Sequence, residues 1–218
     1  MSIKIVLLFI FILLVVALIL KSTAFKTLYC ICGETCSGKD TMVKQITQEH
    51  PLLFRAVVSY TTRPKRESET EGIEHYFVDK EKFDYLKKKN KVLAYTKICS
   101  EDNPDGYEYM ALKKELRKAN LYVIDPLGIE DLKKRFPYLR IKVIYIYSSL
   151  EQRENRAKIS RSDFVDKFYK RIEQEKAQFE EFATQKKYDY IVHNIDHSQE
   201  LAYSNFKKIL FNKVNKFN

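Results

Sequence analysis

A chain of 218 residues that is 45% apolar and 31% charged can build one core of moderate size and is too apolar for a disordered polymer. Its formal charge of +10 invites a nucleic-acid partner, but Lys and Glu are interleaved, as in Glu81-Lys82 and Glu173-Gln174-Glu175-Lys176. No basic tract carries stacking aromatics, so a solvated surface suited to small phosphate anions is expected, with no nucleic acid bound.

The chain opens on an unbroken apolar run, residues 5–20, with Lys4 before it and Lys21 after. As a helix this run measures about 24 Å, a little short of a bilayer core, and flanking lysines can snorkel. A secretory signal competes, but no small-x-small cleavage site follows. Residues 1–24 are therefore read as a hydrophobic segment that anchors the chain in a membrane, and residues 25–218 as the folded body. Lys21, Lys26, Lys39 and Lys44 follow the run and favour a cytoplasmic body. If the gene start is overlong and the segment untranslated, the protein is simply cytoplasmic.

Tyr29-Cys30-Ile31-Cys32 then reads as a strand that breaks at Gly33, turns through Gly38 and starts a helix with Thr41, Met42, Val43 and Ile46. Gly33, Gly38 and Lys39 have the spacing of a phosphate-binding loop, and two of only five glycines stand here. Successive backbone N–H groups in such a loop surround a phosphate, the helix N-terminus adds its positive end, and the lysine adds a point charge. Where the pattern has Ser or Thr for magnesium, this chain has Asp40, with Thr41 next. The four cysteines make no disulfide framework. Cys32 and Cys36 have no second Cys/His pair at zinc spacing nearby, so reduced thiols are expected.

Ala56-Val57-Val58-Ser59-Tyr60-Thr61 reads as a second strand, running into a polar loop with Arg63 and Arg66, a fork for a second phosphate. Ser59-Tyr60-Thr61-Thr62-Arg63-Pro64-Lys65-Arg66, then Glu69, Gly72 and Phe77-Val78, resembles the monophosphate-binding signature of the guanylate kinase family. The resemblance extends more loosely from about residue 27 to the C-terminus. It implies an α/β fold: a P-loop kinase core whose parallel sheet is flanked by helices, with a small NMP-binding insertion (about 57–108) and a helical lid (about 150–170).

Carried over by position, the resemblance puts ATP on Gly33, Glu34, Thr35, Cys36, Ser37, Gly38, Lys39, Asp40 and Thr41; Asp40 departs from the family's Ser or Thr, and its carboxylate is expected to coordinate magnesium directly or through water. Arg63 and Arg66 would grip the acceptor phosphate, Ser59 would touch the base, and Glu69 would support the arginines. The family's phosphate-holding tyrosine falls at His75, with Tyr76 adjacent. Its guanine-reading glutamate falls at Ala94, which removes a large part of the base discrimination; Glu101 is a possible substitute. Tyr109-Met110-Ala111 stands where the family has Tyr-Gly-Ser, so Tyr109 still meets the phosphate while Ala111 offers the base nothing.

Residues 80–89 have helical periodicity, 92–98 return to strand, and Ser100 to Gly106 reads as a longer loop. Leu121-Tyr122-Val123-Ile124-Asp125 is a strand ending in an acid, placed either at the acceptor or as the cap of the next helix. Residues 141–147 and 188–192 are further strands, and 164–182 and 199–211 helices. Arg153, Arg156, Arg161 and Arg171 are candidate lid arginines, and Asn194-Ile195-Asp196 resembles the family's Asn-x-Asp near the adenine. The activity implied is ATP-dependent phosphorylation of GMP, with ATP as co-substrate, Mg²⁺ as cofactor, and Lys39, Arg63, Arg156, Arg161 and Arg171 as the catalytic set. The alternatives are another phosphorylated acceptor, such as a deoxynucleotide or a phospho-sugar, and a non-catalytic interaction module, against which Lys39 and both acceptor arginines argue.

Overall fold

The computed structural model describes residues 27–67, 69–100, 103–160, 165–195 and 198–211. The apolar run at 5–20, Glu101, Arg161 and Asp196 lie outside the described residues. Among those described, no helix is long and apolar enough to cross a membrane.

Two four-stranded sheets carry the fold. The first is wholly parallel, in the order β6 (Leu121–Val123), β1 (Leu28–Cys32), β7 (Ile141–Tyr147), β8 (Tyr190–His193). Every residue of β1 is buried, as expected of a central strand covered on both faces. Its alternation feeds two cores. Leu28, Cys30 and Cys32 pack with Ile129 and Leu132 of α3 (Pro126–Arg135) and with Phe179 and Phe182 of α5 (Val165–Thr184). Tyr29 and Ile31 pack with Met42, Val43 and Ile46 of α1 (Lys39–Glu49) and Phe206 and Leu210 of α6 (Gln199–Phe211). Cys30 and Cys32 are thus free, buried thiols held by packing.

The second sheet is mixed: β3 (His75–Phe77), β2 (Ser59–Thr61), β5 (Asn103–Leu112), β4 (Val92–Ser100). α2 (Lys80–Lys89) covers one face through Phe83, against Met110 and Leu112. Asp79 starts α2, its side chain accepting from the Lys82 N–H at 2.7 Å.

Two expectations are corrected here. The strand expected over residues 56–61 is split between the sheets: Ala56 bridges to Leu121 of the parallel sheet, and Ser59–Thr61 joins the mixed one. Where a loop is expected from Ser100 to Gly106, the described residues are strand: Ser100 ends β4 and pairs with Asn103, and β5 runs through Pro104, Asp105 and Gly106. Gly106 takes φ +64°, and a Cβ there would lie 2.8 Å from the Ile98 carbonyl and from Cys99 Sγ, so glycine admits a strand where the composition suggests a loop.

Candidate active site

The loop after β1 is built from close approaches. A Cβ on Gly33 would stand 2.5 Å from the Ile146 carbonyl oxygen, and one on Gly38 would stand 2.3 Å from Asn194 Nδ2. Gly38 also takes φ +90° as it enters α1. Cys36 takes φ +63° without being glycine, a left-handed conformation that costs an L-residue about 1–2 kcal/mol. Lys39 Nζ lies 3.5 Å from the Glu34 carbonyl oxygen and 3.5 Å from Asp40 Oδ2. Asp40 sits in the first turn of α1 with its carboxylate exposed to solvent, where the helix dipole favours it. Thr41 is exposed beside it.

Side chains from distant elements hold this loop from behind. Asn194 donates from Nδ2 to the Ser37 carbonyl at 2.7 Å. Arg156 of α4 (Leu150–Ser160) donates to the Cys36 and Ser37 carbonyls, each at 3.3 Å, and to the Asn194 carbonyl at 2.9 Å. Arg153 is buried and donates to Glu34 Oε1 at 2.7 Å, while the Tyr145 hydroxyl donates to Glu34 Oε2 at 3.2 Å. Burial pushes the Glu34 carboxyl above the ordinary range, with Arg153 pulling the other way. Thr35 donates its backbone N–H to Glu175 Oε2 at 2.8 Å and its hydroxyl to Oε1 at 2.7 Å.

On the other sheet, Arg63 is 92% buried and grips Glu69 with both terminal nitrogens, Nη1 reaching Oε2 at 2.7 Å and Nη2 reaching Oε1. The Arg66 backbone N–H donates to the same carboxylate at 2.9 Å. Burial opposes ionisation of Glu69, but the Arg63 guanidinium and the Arg66 amide outweigh it and bring its pKa down to about 2. Arg63 also lies over the Phe77 ring, 5.3 Å from its centroid. His75 shares a hydrogen bond of 2.8 Å between Nδ1 and the Ser59 hydroxyl, and its ring meets Tyr109 edge-on at 5.7 Å. Burial, with Arg63 nearby, lowers the His75 pKa.

A cleft of about 210 Å³ lies between the phosphate loop and the second sheet, and Arg63 stands behind it, bonded to the Tyr109 side chain. Its walls include Gly33, Lys39, Ser59, Tyr109, Asp125 and Arg171. Asp125 lines this cleft and also caps α3, its Oδ1 accepting from the Gly128 N–H at 2.7 Å, which is the capping role read from the sequence. Tyr76 is a correction: β3 alternates, and its ring turns away onto Tyr60, 4.7 Å between centroids, leaving His75 on the site's side. Arg156 and Asn194 brace the loop's carbonyls, whereas Arg171 reaches the cleft itself. Arg153 is taken up by Glu34 and Ser148.

Ala94 lines the cleft, and Ala111, its register partner on β5, is wholly buried in the core. The sequence reading missed Thr96, which lies two residues along β4 on the face of Ala94 and puts a hydroxyl on that wall. It also missed Glu108, which is buried, accepts from the Tyr95 hydroxyl at 2.7 Å and from Lys80, and donates its backbone N–H to Thr62 Oγ1 at 2.9 Å. Alternation along β5 would have placed Glu108, but its partners lie up to 46 residues away.

A glycine-lysine loop after the central strand of a parallel sheet, facing a second sheet whose β2–β3 loop holds an arginine–carboxylate pair, is the arrangement of a P-loop phosphotransferase. The family profile described as guanylate kinase matches residues 25–213. The guanylate kinase of Rickettsia prowazekii is 32% identical over 76% of this chain and 81% of its own length. That of Vibrio parahaemolyticus is 28% identical over 84% and 86%. A crystal structure of guanylate kinase from Anaplasma phagocytophilum superposes with a TM-score of 0.60 at 21% identity, covering 87% of this chain and 86% of that one, which shows the shared fold. The chain belongs to the guanylate kinase family and is a nucleoside monophosphate kinase.

Proposed function

We propose that this chain transfers the outer phosphoryl group of ATP to GMP within the cleft described above. The observation that carries the reading is a single cleft lined by Lys39 of the loop and by Ser59 and Tyr109 of the second sheet, the last bonded to Arg63. Lys39 and the amides of residues 33–41 hold the donor phosphates. Arg63, kept in place by Glu69, works with Arg66, His75 and Tyr109 on the acceptor phosphate. Holding both phosphates in line, with the charge spread over fixed cations, supplies the acceleration without a covalent intermediate. Arg171 adds a cation from α5 on the same cleft.

Magnesium suits the donor side. Mg²⁺ takes few protein oxygens and keeps water and phosphate for the rest, and Asp40 presents a solvent-open carboxylate at the start of α1, next to Lys39. Asp40, directly or through water, would hold the ion, which when bound neutralises charge on the donor's outer phosphates.

Base choice rests on Thr96, Ser59 and the backbone around Ala94, because neither alanine can accept from guanine N1–H. A second reading, relaxed acceptor choice among purine monophosphates, is favoured by that same pair of alanines. A coupled ADP-release assay across GMP, dGMP, IMP, AMP and pyrimidine monophosphates tests both, with GMP turning over fastest. No turnover with any acceptor would leave a non-catalytic interaction module. We further propose that residues 5–20 tether the body to a membrane, supported by the unbroken apolar run and its flanking lysines; carbonate extraction of the full chain from membranes tests this.

A further inference from the structure

We propose that Glu175 is a built-in competitor of the donor's outer phosphate, a carboxylate latch that the arriving nucleotide must displace. The proposal rests on the donor-site reading of the loop. Thr35 is the third residue of that loop and is 95% buried, so its amide N–H and hydroxyl have few partners to choose from. Both are given to one carboxylate, at 2.8 and 2.7 Å, from a helix 140 residues away in sequence. This is the pattern by which such a loop takes a phosphate: an anion with two oxygens, one on a backbone N–H and one on a hydroxyl.

The surroundings give the exchange its direction. Glu175 stands on the cleft wall together with Lys39 and Arg171. Arg171, one turn earlier on α5, places Nε 3.7 Å from Glu175 Oε1. Glu34, the residue before Thr35, adds a second acid to the same neighbourhood. A phosphate entering here meets a resident negative charge, and the two anions cannot share the Thr35 donors. Displacing Glu175 frees the donors and at the same time turns Arg171 from a carboxylate to a phosphate partner. The latch therefore sets donor affinity, acting through Thr35 and Arg171.

The test uses the full-length chain and the variants Glu175→Ala and Glu175→Gln, with ATP, inorganic tripolyphosphate and GMP titrated separately by calorimetry, and steady-state KM measured for both substrates. Removing a charge-assisted competitor is expected to tighten ATP and tripolyphosphate about tenfold and leave GMP unchanged, with Gln, which keeps one neutral acceptor, in between. Unchanged or weaker ATP and tripolyphosphate binding in both variants overturns the latch and makes Glu175 a plain brace. If wild-type protein binds ATP yet turns over no acceptor, the kinase reading fails, and the same titrations still decide the latch.

Discussion

Replacing Glu69 with glutamine removes the charge that orders the acceptor arginines while keeping the side chain's shape. Glutamine leaves one oxygen for Arg63 and turns an NH₂ toward the other guanidinium nitrogen, so a 92% buried cation loses its counter-charge. Bringing a carboxyl from its ordinary 4.5 to about 2 corresponds to roughly 3 kcal/mol. Losing one member of a buried ion pair costs about 3–5 kcal/mol, and a position in the surface loop between β2 and β3 brings this to about 2–3 kcal/mol. For a chain of this size that lowers Tm by roughly 5–10 °C. The sign follows from the lowered pKa: the stabilisation is complete above about pH 4.5 and is lost as the pH falls toward 2. Urea unfolding of wild type and Glu69→Gln at pH 7, 5, 4 and 3 should therefore show a gap that closes on acidification. At pH 7 the variant should also raise KM for GMP and leave KM for ATP in place. A gap below about 0.5 kcal/mol at pH 7, or one that does not narrow with acid, would refute the argument.

Three other outcomes are expected. Cys36→Gly should melt above Cys36→Ala by about 1–4 °C, since both lose the thiol and only glycine is unstrained at φ +63°; equal melting denies the strain. Asp40→Asn should raise the Mg²⁺ concentration for half-maximal turnover at least about fivefold, and an unaltered magnesium profile removes Asp40 from the ion's shell. Ala94→Glu should increase the ratio of kcat/KM for GMP over AMP at least about tenfold, because a carboxylate on that wall accepts from guanine and is left unpaired by adenine; an unchanged ratio places the base elsewhere.

The parts legible in the sequence are those written in short spans. Gly33, Gly38 and Lys39 carry their spacing within seven positions, and Arg63, Arg66 and Glu69 do the same, so the glycine-lysine loop and the arginine–glutamate cluster could be outlined before the fold. The helix over 80–89 followed from periodicity, and both it and the helix expected over 199–211 match the structure's bounds. What escaped was written across long separations. Nothing near Thr35 announces Glu175, 140 residues on, and nothing near Glu34 announces Arg153, 119 residues on. The polar stretch from Ser100 to Gly106 misled because Pro, Asp and Gly are depleted in strands, yet pairing with Ile98 and Ser100 overrides that preference. Tyr76 and His75 were indistinguishable by spacing alone, and only the phase of β3 separates them.

The placement of the four thiols gives this chain a ready-made molecular ruler. Cys30 and Cys32 are buried under the central sheet, where desolvation pushes both pKa values up, Cys30 to about 12, and withholds them from maleimides. Cys99 is exposed on the mixed sheet, and Cys36 is half-buried in the phosphate loop with its thiol pKa also raised by burial. A first dye should settle on Cys99 and a second, added later at higher pH, on Cys36. Unmutated protein would then report, by energy transfer, the distance between its mixed sheet and its phosphate loop under any solution condition.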